Sequence, residues 1–327
     1  AMDSKTELID VLLLTALPGS GKSEIRCYLS SLSPEECLKK FGIGETVAID
    51  DFPYVYVMRC ISDKLVDLGE EGAFYLSAIL PFKDPRHWET LTHLINEDFA
   101  DMNAQKKAQP QDTAEWLFDR IDAAYVKAGG QPILKQLNPK IRANVLLALK
   151  AEAEKLLKSK NAEIDKAKNL DGKTIVIEFS RGGVYASSMP LPAPYGYKHS
   201  LAKLSPEILQ RASILYVEVS PEESRRKNEV RANPNDPGSI LGHKVPLEVM
   251  LGSYGCDDMV YLAERFDRAG TVCIEAHGEI YHLPFGRFDN NVDKTTFARA
   301  NFVEWRETDV SNLCKALTEA FAPLGSW

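Results

Sequence analysis

The residues with the clearest chemical potential lie near the start of the chain, in the segment Ala16-Leu17-Pro18-Gly19-Ser20-Gly21-Lys22-Ser23. Gly19 and Gly21 allow the backbone to curl, so that successive N–H groups point inward at phosphate oxygens. A helix that begins near Lys22 adds the positive end of its dipole. Lys22 can reach the outer phosphates, and the Ser23 hydroxyl can bind Mg²⁺. The spacing therefore predicts a loop in which Gly19, Ser20, Gly21, Lys22 and Ser23 hold the phosphates of a nucleotide.

The surroundings of this segment agree with that interpretation. It fits the Walker A pattern, with Ala16 in place of the first glycine, and it lies between an apolar run and a helical pattern over residues 22–31. The chain lacks the Asn/Thr-Lys-x-Asp motif of a guanine-specific GTPase. It also lacks the apolar strand ending in Asp-Glu of a motor or AAA-type ATPase, since the run at 173–179 is followed by Ser180-Arg181. A single acid followed by an arginine is more typical of a small-molecule kinase.

Five short apolar runs predict the strands that must position this loop. Helical patterns separate them, which indicates a parallel sheet covered on both faces and hence an α/β fold. The region 278–302 is predicted to be a loop and packing at the edge of the sheet. The five runs cover residues 9–15, 45–50, 173–179, 213–219 and 271–275.

Residues 56–170 interrupt this alternation and show helix signals only. Asn138-Pro139 is a cap followed by a proline at the first helical position, and it leads into a helix over 141–158. We therefore expect a large helical insertion between the second and third strands, serving as a substrate or partner region. Residues 2–327 are otherwise expected to form a single domain.

Acidic residues end two of the predicted strands. Asp50 and Asp51 end the second, and Glu178 lies near the end of the third. Because side chains alternate along a strand, at most one of the two aspartates is expected to face the crevice. We predict Asp50 rather than Asp51 as the base for an attacking hydroxyl, because Asp50 continues the strand directly. Repulsion between the two carboxylates is expected to raise the pKa of one of them. The alternatives are Asp51 as the base, or an acidic pair that only caps a turn before Pro53. Glu178 is expected to act near the metal ion through a bound water, beside Ser23.

Arginines near the predicted sheet edge are candidates for contacts with phosphate. Arg181, followed by two glycines, could clamp an acceptor or a phosphate. A helix with Arg225, Arg226 and Arg231 follows the fourth strand and leads into a stretch rich in turn formers at 232–246. This order predicts a mobile lid that closes over the phosphates. The alternative is a basic helix face exposed to solvent.

The loop at 16–23, the run Asp50-Asp51-Phe52-Pro53-Tyr54 and the arginine-rich lid resemble the P-loop nucleoside and nucleotide kinases. The Asp-Asp-Phe-x-Tyr stretch is most similar to the uridine-kinase and phosphoribulokinase group, and the likeness covers residues 9–54 and 172–276. The resemblance implies a P-loop NTPase three-layer fold with a five-stranded sheet in the order 2-3-1-4-5. It also implies ATP as donor and Mg²⁺ as cofactor, and it places Asp50 at the position of the catalytic Asp.

Composition limits the remaining possibilities. The 327 residues include 39 Lys and Arg against 47 Asp and Glu, a net charge of −8 that disfavours nucleic acids and anionic membranes. The six cysteines form no CxxC pair, the six histidines show no metal-binding spacing, and no apolar run approaches the length of a membrane span. We therefore expect a reduced, cytoplasmic protein whose histidines bind no metal.

These patterns predict an ATP-dependent phosphotransferase acting on a hydroxyl or phosphate of a small metabolite, with a nucleoside or nucleotide favoured. The alternative is a nucleotide-dependent switch or binding module whose helical insertion contacts a protein or nucleic-acid partner. An apolar exposed patch on the insertion would favour the partner, and a concave basic pocket facing the glycine loop would favour the kinase. The acceptor and the oligomeric state stay open.

Overall fold

A computed structural model describes residues 7–231, 244–265 and 267–325, which form a six-stranded sheet with helices on both faces. The strands are β1 Val11–Thr15, β2 Glu45–Asp50, β3 Lys173–Phe179, β4 Ala212–Glu218, β5 Thr271–Ala276 and β6 Glu279–Asp289. The helices are α1 Lys22–Ser31, α2 Pro34–Phe41, α3 Phe52–Asp67, α4 His87–Asn103, α5 Thr113–Lys127, α6 Pro139–Lys166, α7 Gly196–Ala202, α8 Pro206–Leu209, α9 Pro221–Arg231, α10 Leu247–Gly252, α11 Met259–Ala263 and α12 Glu307–Phe321.

The sheet has the order β2-β3-β1-β4-β6-β5, and only its last pairing is antiparallel. The predicted α/β class and all five predicted strands are confirmed. The predicted number of strands and the predicted strand at the fifth position of the sheet are wrong. Strand β6 lies at that position, beside β4, and the predicted run near Thr271 forms β5, the antiparallel edge strand. The expectation of a loop and edge packing across 278–302 is therefore wrong for residues 279–289, whereas residues 290–302 lie outside the strands. Burial alternates unevenly along β6, which contains Pro284 and Gly286, so it lacks the continuous apolar run of a buried parallel strand.

The parallel strands are buried on both faces, as β1 shows. All five of its residues are buried. Val11 and Leu13 pack with α4, α7 and α8 on one face, and Leu12 and Leu14 pack with α1, α2 and α12 on the other. This alternation buries side chains against helices on both sides of the sheet. The parallel pairing of the strands brings their carboxyl ends to one edge.

The insertion between β2 and β3 consists of α3 to α6, and its predicted helical character is confirmed. It has a core of its own, in which side chains from these four helices pack together with Phe74 and Tyr75. Helix α6 begins after Asn138, whose side-chain oxygen accepts a hydrogen bond of 3.0 Å from the backbone N–H of Lys140. The helix extends to Lys166, eight residues beyond the predicted end.

Candidate functional site

The loop after β1, residues 16–23, curls at its two glycines. Gly19 has φ 74° and Gly21 has φ 110°, in the left-handed region that favours glycine. A Cβ atom at Gly21 would lie 2.6 Å from Oγ1 of Thr295, and one at Gly19 would lie 3.2 Å from the backbone nitrogen of Asn228. Helix α1 begins at Lys22, so the N–H groups of its first turn have no acceptor within the helix. The glycines thus allow close packing from outside and leave a helix N-terminus at the end of the loop.

Side chains from three other parts of the fold hold the carbonyl groups of this loop. Tyr197 of α7 donates to the carbonyl of Ala16 at 3.0 Å, and Ser224 of α9 donates to that of Pro18 at 2.7 Å. Asn290, the residue after β6, donates to the carbonyl of Ser20 at 2.8 Å. Because these contacts fix the loop from behind, its shape is set before any ligand binds.

Lys22 extends from the loop across the ends of the strands. Its Nζ donates to the carbonyl of Ala16 at 3.3 Å and to the Ser180 hydroxyl at 2.5 Å. Burial lowers the pKa of Lys22, although the carboxylates of Glu178 and Asp50 oppose this shift. The ammonium is thus held beside the glycine loop by neutral acceptors, with carboxylates close enough to influence its charge.

Four carboxyl groups line the cavity, and three of them, Asp50, Asp51 and Glu178, act on the charge of Lys22; the fourth, Glu24, is paired with Arg299. Asp50 and Glu178 are partners in the register of β2 and β3, and Arg26 binds Oε2 of Glu178 at 2.7 Å. The prediction that only one aspartate would face the crevice is wrong. Strand β2 ends at Asp50, and Asp51 already has the right-handed helical conformation at the start of α3, so the alternation of a strand does not apply.

The environment of Asp50 favours its neutral form. Partial burial is the main cause that raises the pKa of Asp50 to about 8, and the negative charges of Glu178 and Asp51 add to it. A hydrogen bond of 2.8 Å from the N–H of Phe52 to Oδ1 opposes this shift. Repulsion from Asp51 contributes to this shift as predicted, but burial and Glu178 contribute more. A carboxyl group with a pKa near neutral pH is suited to accepting a proton during catalysis.

Arg181 does not act as the predicted clamp for an acceptor or a phosphate. Its side chain is only 1% exposed, and it lies beneath the cavity rather than in its lining. The guanidinium donates to Asp51 at 2.7 Å, to the Ser200 hydroxyl at 2.9 Å and to the Thr92 hydroxyl at 3.2 Å. With its three nitrogens engaged, Arg181 positions Asp51 and ties α3, α4 and α7 together.

Helix α9 packs on the glycine loop through a face that differs from the predicted one, which carried Arg225 and Arg226. Arg225 pairs with Glu222 and lies over a tyrosine ring, and Arg226 pairs with Glu223 at 2.6 Å on the exposed side. Neither arginine lines the cavity, so their predicted contact with phosphates is not supported. Arg231 does line it. The inward face carries Ser224, Lys227, Asn228 and Arg231, at the spacing of one helical stripe.

The predicted lid at 232–246 lies outside the described residues, except for its last three positions. Of these, Val245 exchanges two hydrogen bonds with the side chain of Asn228, at 2.7 and 2.9 Å. Val245 and Pro246 both line the cavity. The chain thus returns beside the glycine loop directly before α10.

The far end of the cavity is aromatic and comes largely from the helical insertion. The cavity encloses about 1070 Å³, part of it open to solvent. The rings of Tyr75 and Phe82 stack at 4.6 Å, and Trp88 lies edge-on to Phe82 at 5.0 Å and to Tyr254 at 5.5 Å. Arg59 lies 3.7 Å from the centre of the Tyr75 ring and donates to three backbone carbonyls. Polar groups at the loop thus face an apolar wall across one cavity.

Comparisons with known proteins give no relative for this arrangement. No protein-family model, curated protein or solved structure matches the chain. Among the helices of the described ranges, none has both the length and the apolar composition that crossing a bilayer requires. The chemistry of the cavity follows from its own side chains.

Several residues at the site were not predicted from the sequence. Ser180 follows Glu178-Phe179 directly, and its place after a buried strand could have indicated it. Asn290 follows β6, and the missed strand concealed it. Arg59 and the aromatic wall lie on helices and loops of the insertion, whose approach to the glycine loop depends on tertiary packing.

The raised pKa of Asp50 predicts how stability depends on pH. Between about pH 4 and pH 8 the folded chain keeps a proton on Asp50 that the unfolded chain has released, so stability falls as the pH rises through this window. Asp50→Asn removes this pH-dependent loss of stability, because asparagine does not titrate. We expect the variant to gain stability over the native protein as the pH rises, and denaturant midpoints at about pH 5 and pH 8.5 measure it.

Asp257 also lowers the stability of the folded protein as the pH rises, because burial raises its pKa to about 7. The test therefore uses the difference between Asp50→Asn and the native chain, and Asp257→Asn is a positive control that should show a gain of the same sign. A difference that does not change between the two pH values would contradict the assignment of a raised pKa to Asp50.

Proposed function

We propose that this protein is an ATP-dependent phosphotransferase of the P-loop kinase type, which moves the γ-phosphoryl group of ATP to a hydroxyl of a small metabolite. One observation carries this proposal: Lys22, Asp50 and Glu178 line a single cavity that starts at a glycine loop and ends at an aromatic wall. This juxtaposition supplies a place for phosphates, a proton acceptor and a surface for a second substrate.

The glycine loop would hold the donor phosphates. Backbone N–H groups at the start of α1 favour an anion, and Lys22 adds a charge beside them. Arg231 contributes a second cation from α9. Because tight contacts fix the loop from behind, little reorganisation would accompany binding.

Magnesium fits the oxygen donors at this end of the cavity. The hydroxyl of Ser23 and the carboxylate of Glu178 would hold the ion, which prefers oxygen ligands. When bound with ATP, the ion neutralises charge on the phosphates. Its positive charge would also favour the ionised form of Asp50.

Asp50 would accept the proton of the attacking hydroxyl. The hydroxyl oxygen forms a bond to the γ-phosphorus as the bond to the β,γ-bridging oxygen breaks, and ADP leaves with that electron pair. Lys22 would stabilise negative charge on the transferred group. Asp51 would orient the start of α3, since Arg181 holds it in place.

The aromatic wall favours an acceptor with a flat, uncharged ring. Such a ring can stack against Phe82, Trp88 or Tyr254, since both faces of Tyr75 are covered by Phe82 and Arg59. The guanidinium of Arg59 is already bound to carbonyls and stacked on Tyr75, so it is poorly placed to bind an acceptor phosphate. A nucleoside is therefore favoured over a nucleotide, and a sugar or another alcohol is the second choice.

The lining also bears on the alternative of a nucleotide-dependent switch. Arg59, Tyr75, Phe82 and Trp88 of the insertion line the cavity that the glycine loop opens into. The pocket is concave and faces the glycine loop, but its lining is aromatic and mixed in charge rather than basic as expected. Its position supports a role of the insertion in holding a small acceptor. It gives no specific support to a partner protein or nucleic acid.

Acceptor-dependent formation of ADP tests the proposal. The full chain is incubated with Mg·ATP and, in separate reactions, with nucleosides, nucleotides, sugars and other alcohols. We expect turnover with at least one ring-bearing alcohol and little ADP without an acceptor. ATP binding without turnover on any acceptor would contradict a kinase and support the switch.

The placement of the arginines on α9 predicts unequal effects. Arg231→Ala removes a cation from the cavity lining, so we expect weaker ATP binding and lower kcat/KM, by roughly 10-fold or more, as for one lost hydrogen bond to a charged group. Arg226→Ala on the same helix is the matched control and should change neither, because its side chain is exposed and paired with Glu223. Equal losses in the two variants would contradict the assigned face of α9.

A further inference from the structure

Asp267, Cys273 and His282 converge at the antiparallel edge of the sheet, and none of them lines the cavity described above. Cys273 of β5 and His282 of β6 are direct partners in the strand register. Asp267 precedes β5, and its Oδ1 lies 2.8 Å from Nε2 of His282. One carboxylate oxygen, one sulfur and one imidazole nitrogen thus lie within 4.8 Å of one another.

We propose that these three residues bind a Zn²⁺ ion, with water as the fourth ligand. Thiolate, imidazole and carboxylate are the ligand types that zinc takes in proteins. In a tetrahedral site their ligand atoms lie about 3.3–3.6 Å apart, as follows from bond lengths of about 2.0–2.3 Å. The three atoms lie within 4.8 Å of one another, and the contact between Asp267 and His282 is 2.8 Å, so metal binding would lengthen that contact and bring all three atoms to these separations by side-chain rotation.

The identity of the donors selects the metal. A sulfur ligand disfavours Mg²⁺ and Ca²⁺, which take oxygen, and favours zinc and other softer ions. The charge of the surroundings also favours a cation, since Glu275 lies two residues from Cys273 on the same face of β5. This site is therefore chemically distinct from the proposed magnesium site at Ser23 and Glu178.

A cysteine nucleophile is the chemical alternative, and the contacts do not favour it. Nε2 of His282 makes its hydrogen bond to the carboxylate of Asp267, at 2.8 Å, whereas a base would make it to the sulfur of Cys273.

The sequence concealed these ligands because they belong to no local motif. They are separated by six and nine residues along the chain, and the expectation that no histidine binds a metal rested on spacing alone. The proposal corrects that expectation for His282. Pairing of β5 with β6 closes the distance between residues 273 and 282.

Metal binding to the reduced, metal-free full chain tests this proposal, with excess Mg²⁺ present to fill the oxygen site. Zn²⁺ is titrated against a chromophoric competitor, and Co²⁺ is used as a spectroscopic substitute, because a cobalt–thiolate bond gives its own charge-transfer absorption. We expect one tight equivalent of Zn²⁺ and a thiolate band with Co²⁺. Cys273→Ser should abolish the band.

Each of Cys273→Ser, His282→Gln and Asp267→Asn should weaken Zn²⁺ binding by more than about 10-fold, since even the loss of a group that only orients a ligand costs about 10–100-fold. Cys27→Ser, at a half-buried cysteine on α1, is the matched control and should bind as the native chain does. Equal affinity in native and Cys273→Ser protein, or no thiolate band, would show that the three side chains only hydrogen-bond one another. Circular dichroism of each variant confirms that it is folded.

Discussion

Lys22→Ala should abolish most of the turnover while leaving the protein folded. The substitution removes a charge that would stabilise the transferring phosphoryl group, and the loss of one such group costs about 10²–10³-fold in kcat. The backbone of the glycine loop should survive, because Tyr197, Ser224 and Asn290 hold its carbonyls independently of Lys22. The measurements are kcat with Mg·ATP and the best acceptor, and the denaturant midpoint.

Stability should change little, because the ammonium of Lys22 is desolvated in the folded state. Burial lowers its pKa, so the charged side chain adds little net stability. Lys40→Ala is the matched control: this lysine lies on α2 and makes only a long contact of 3.8 Å with Glu36. If kcat is unchanged in Lys22→Ala, the proposed function fails at its central residue.

The parts of this site that follow from local patterns could be predicted from the sequence. The turn at Gly19 and Gly21 and the boundaries of α1, β2 and β3 are confirmed, because a short apolar run and a glycine turn act over a few neighbouring residues. Phosphate binding by this loop stays a prediction. Asp50 and Glu178 also face one cavity as expected, since the carboxyl ends of parallel strands meet at one edge of the sheet.

The parts that depend on tertiary partners could not be predicted. Arg181 is a cation beside a predicted crevice, and only the packing of α3, α4 and α7 turns it into a buried partner of Asp51. The orientation of α9 also depends on tertiary packing. Its arginines cluster in sequence, but the stripe that packs on the loop runs through Ser224, Lys227 and Asn228.

The role of Asn290 shows the same limit at the level of a whole strand. Its amide holds the carbonyl of Ser20, and with Thr295 it fills the space beside Gly21. A prediction of that contact requires β6 to be placed beside β4, and this placement depends on long-range pairing that no local pattern in residues 279–289 indicates.

Asp50→Asn and Asp51→Asn should have different effects: the first should lower kcat, and the second should lower the stability of the fold. Asp50→Asn removes the proposed base, and such a base contributes about 10²–10⁴-fold to the rate. We expect kcat to fall by that factor, with ATP affinity nearly retained and stability unchanged or increased. The pKa of about 8 explains the last expectation, because Asp50 is largely protonated in the folded protein at neutral pH.

Asp51→Asn should act through stability instead. Arg181 is fully buried, and its ion pair with Asp51 at 2.7 Å would become an unbalanced charge. Breaking a buried ion pair from one side costs about 3–5 kcal/mol. We expect a large fall in the denaturant midpoint, and a loss of activity that follows the loss of folded protein. Asp165→Asn, at an exposed aspartate paired with Lys107, is the control for both variants.

The paired measurements of kcat and denaturant midpoint decide between the two carboxylates. If Asp50→Asn keeps a near-native kcat and Asp51→Asn loses it while still folded, the base is Asp51 and the assignment is reversed. If both variants stay active, either the acceptor is already ionised, as a phosphate would be, or the reaction is not transfer to a hydroxyl. The expected outcome, a folded but inactive Asp50→Asn beside an unstable Asp51→Asn, follows from one difference between two neighbours. Asp51 is neutralised by a buried cation, Arg181. Asp50 lies opposite Glu178 in the strand register, and the nearby Arg26 pairs with Glu178 rather than with Asp50.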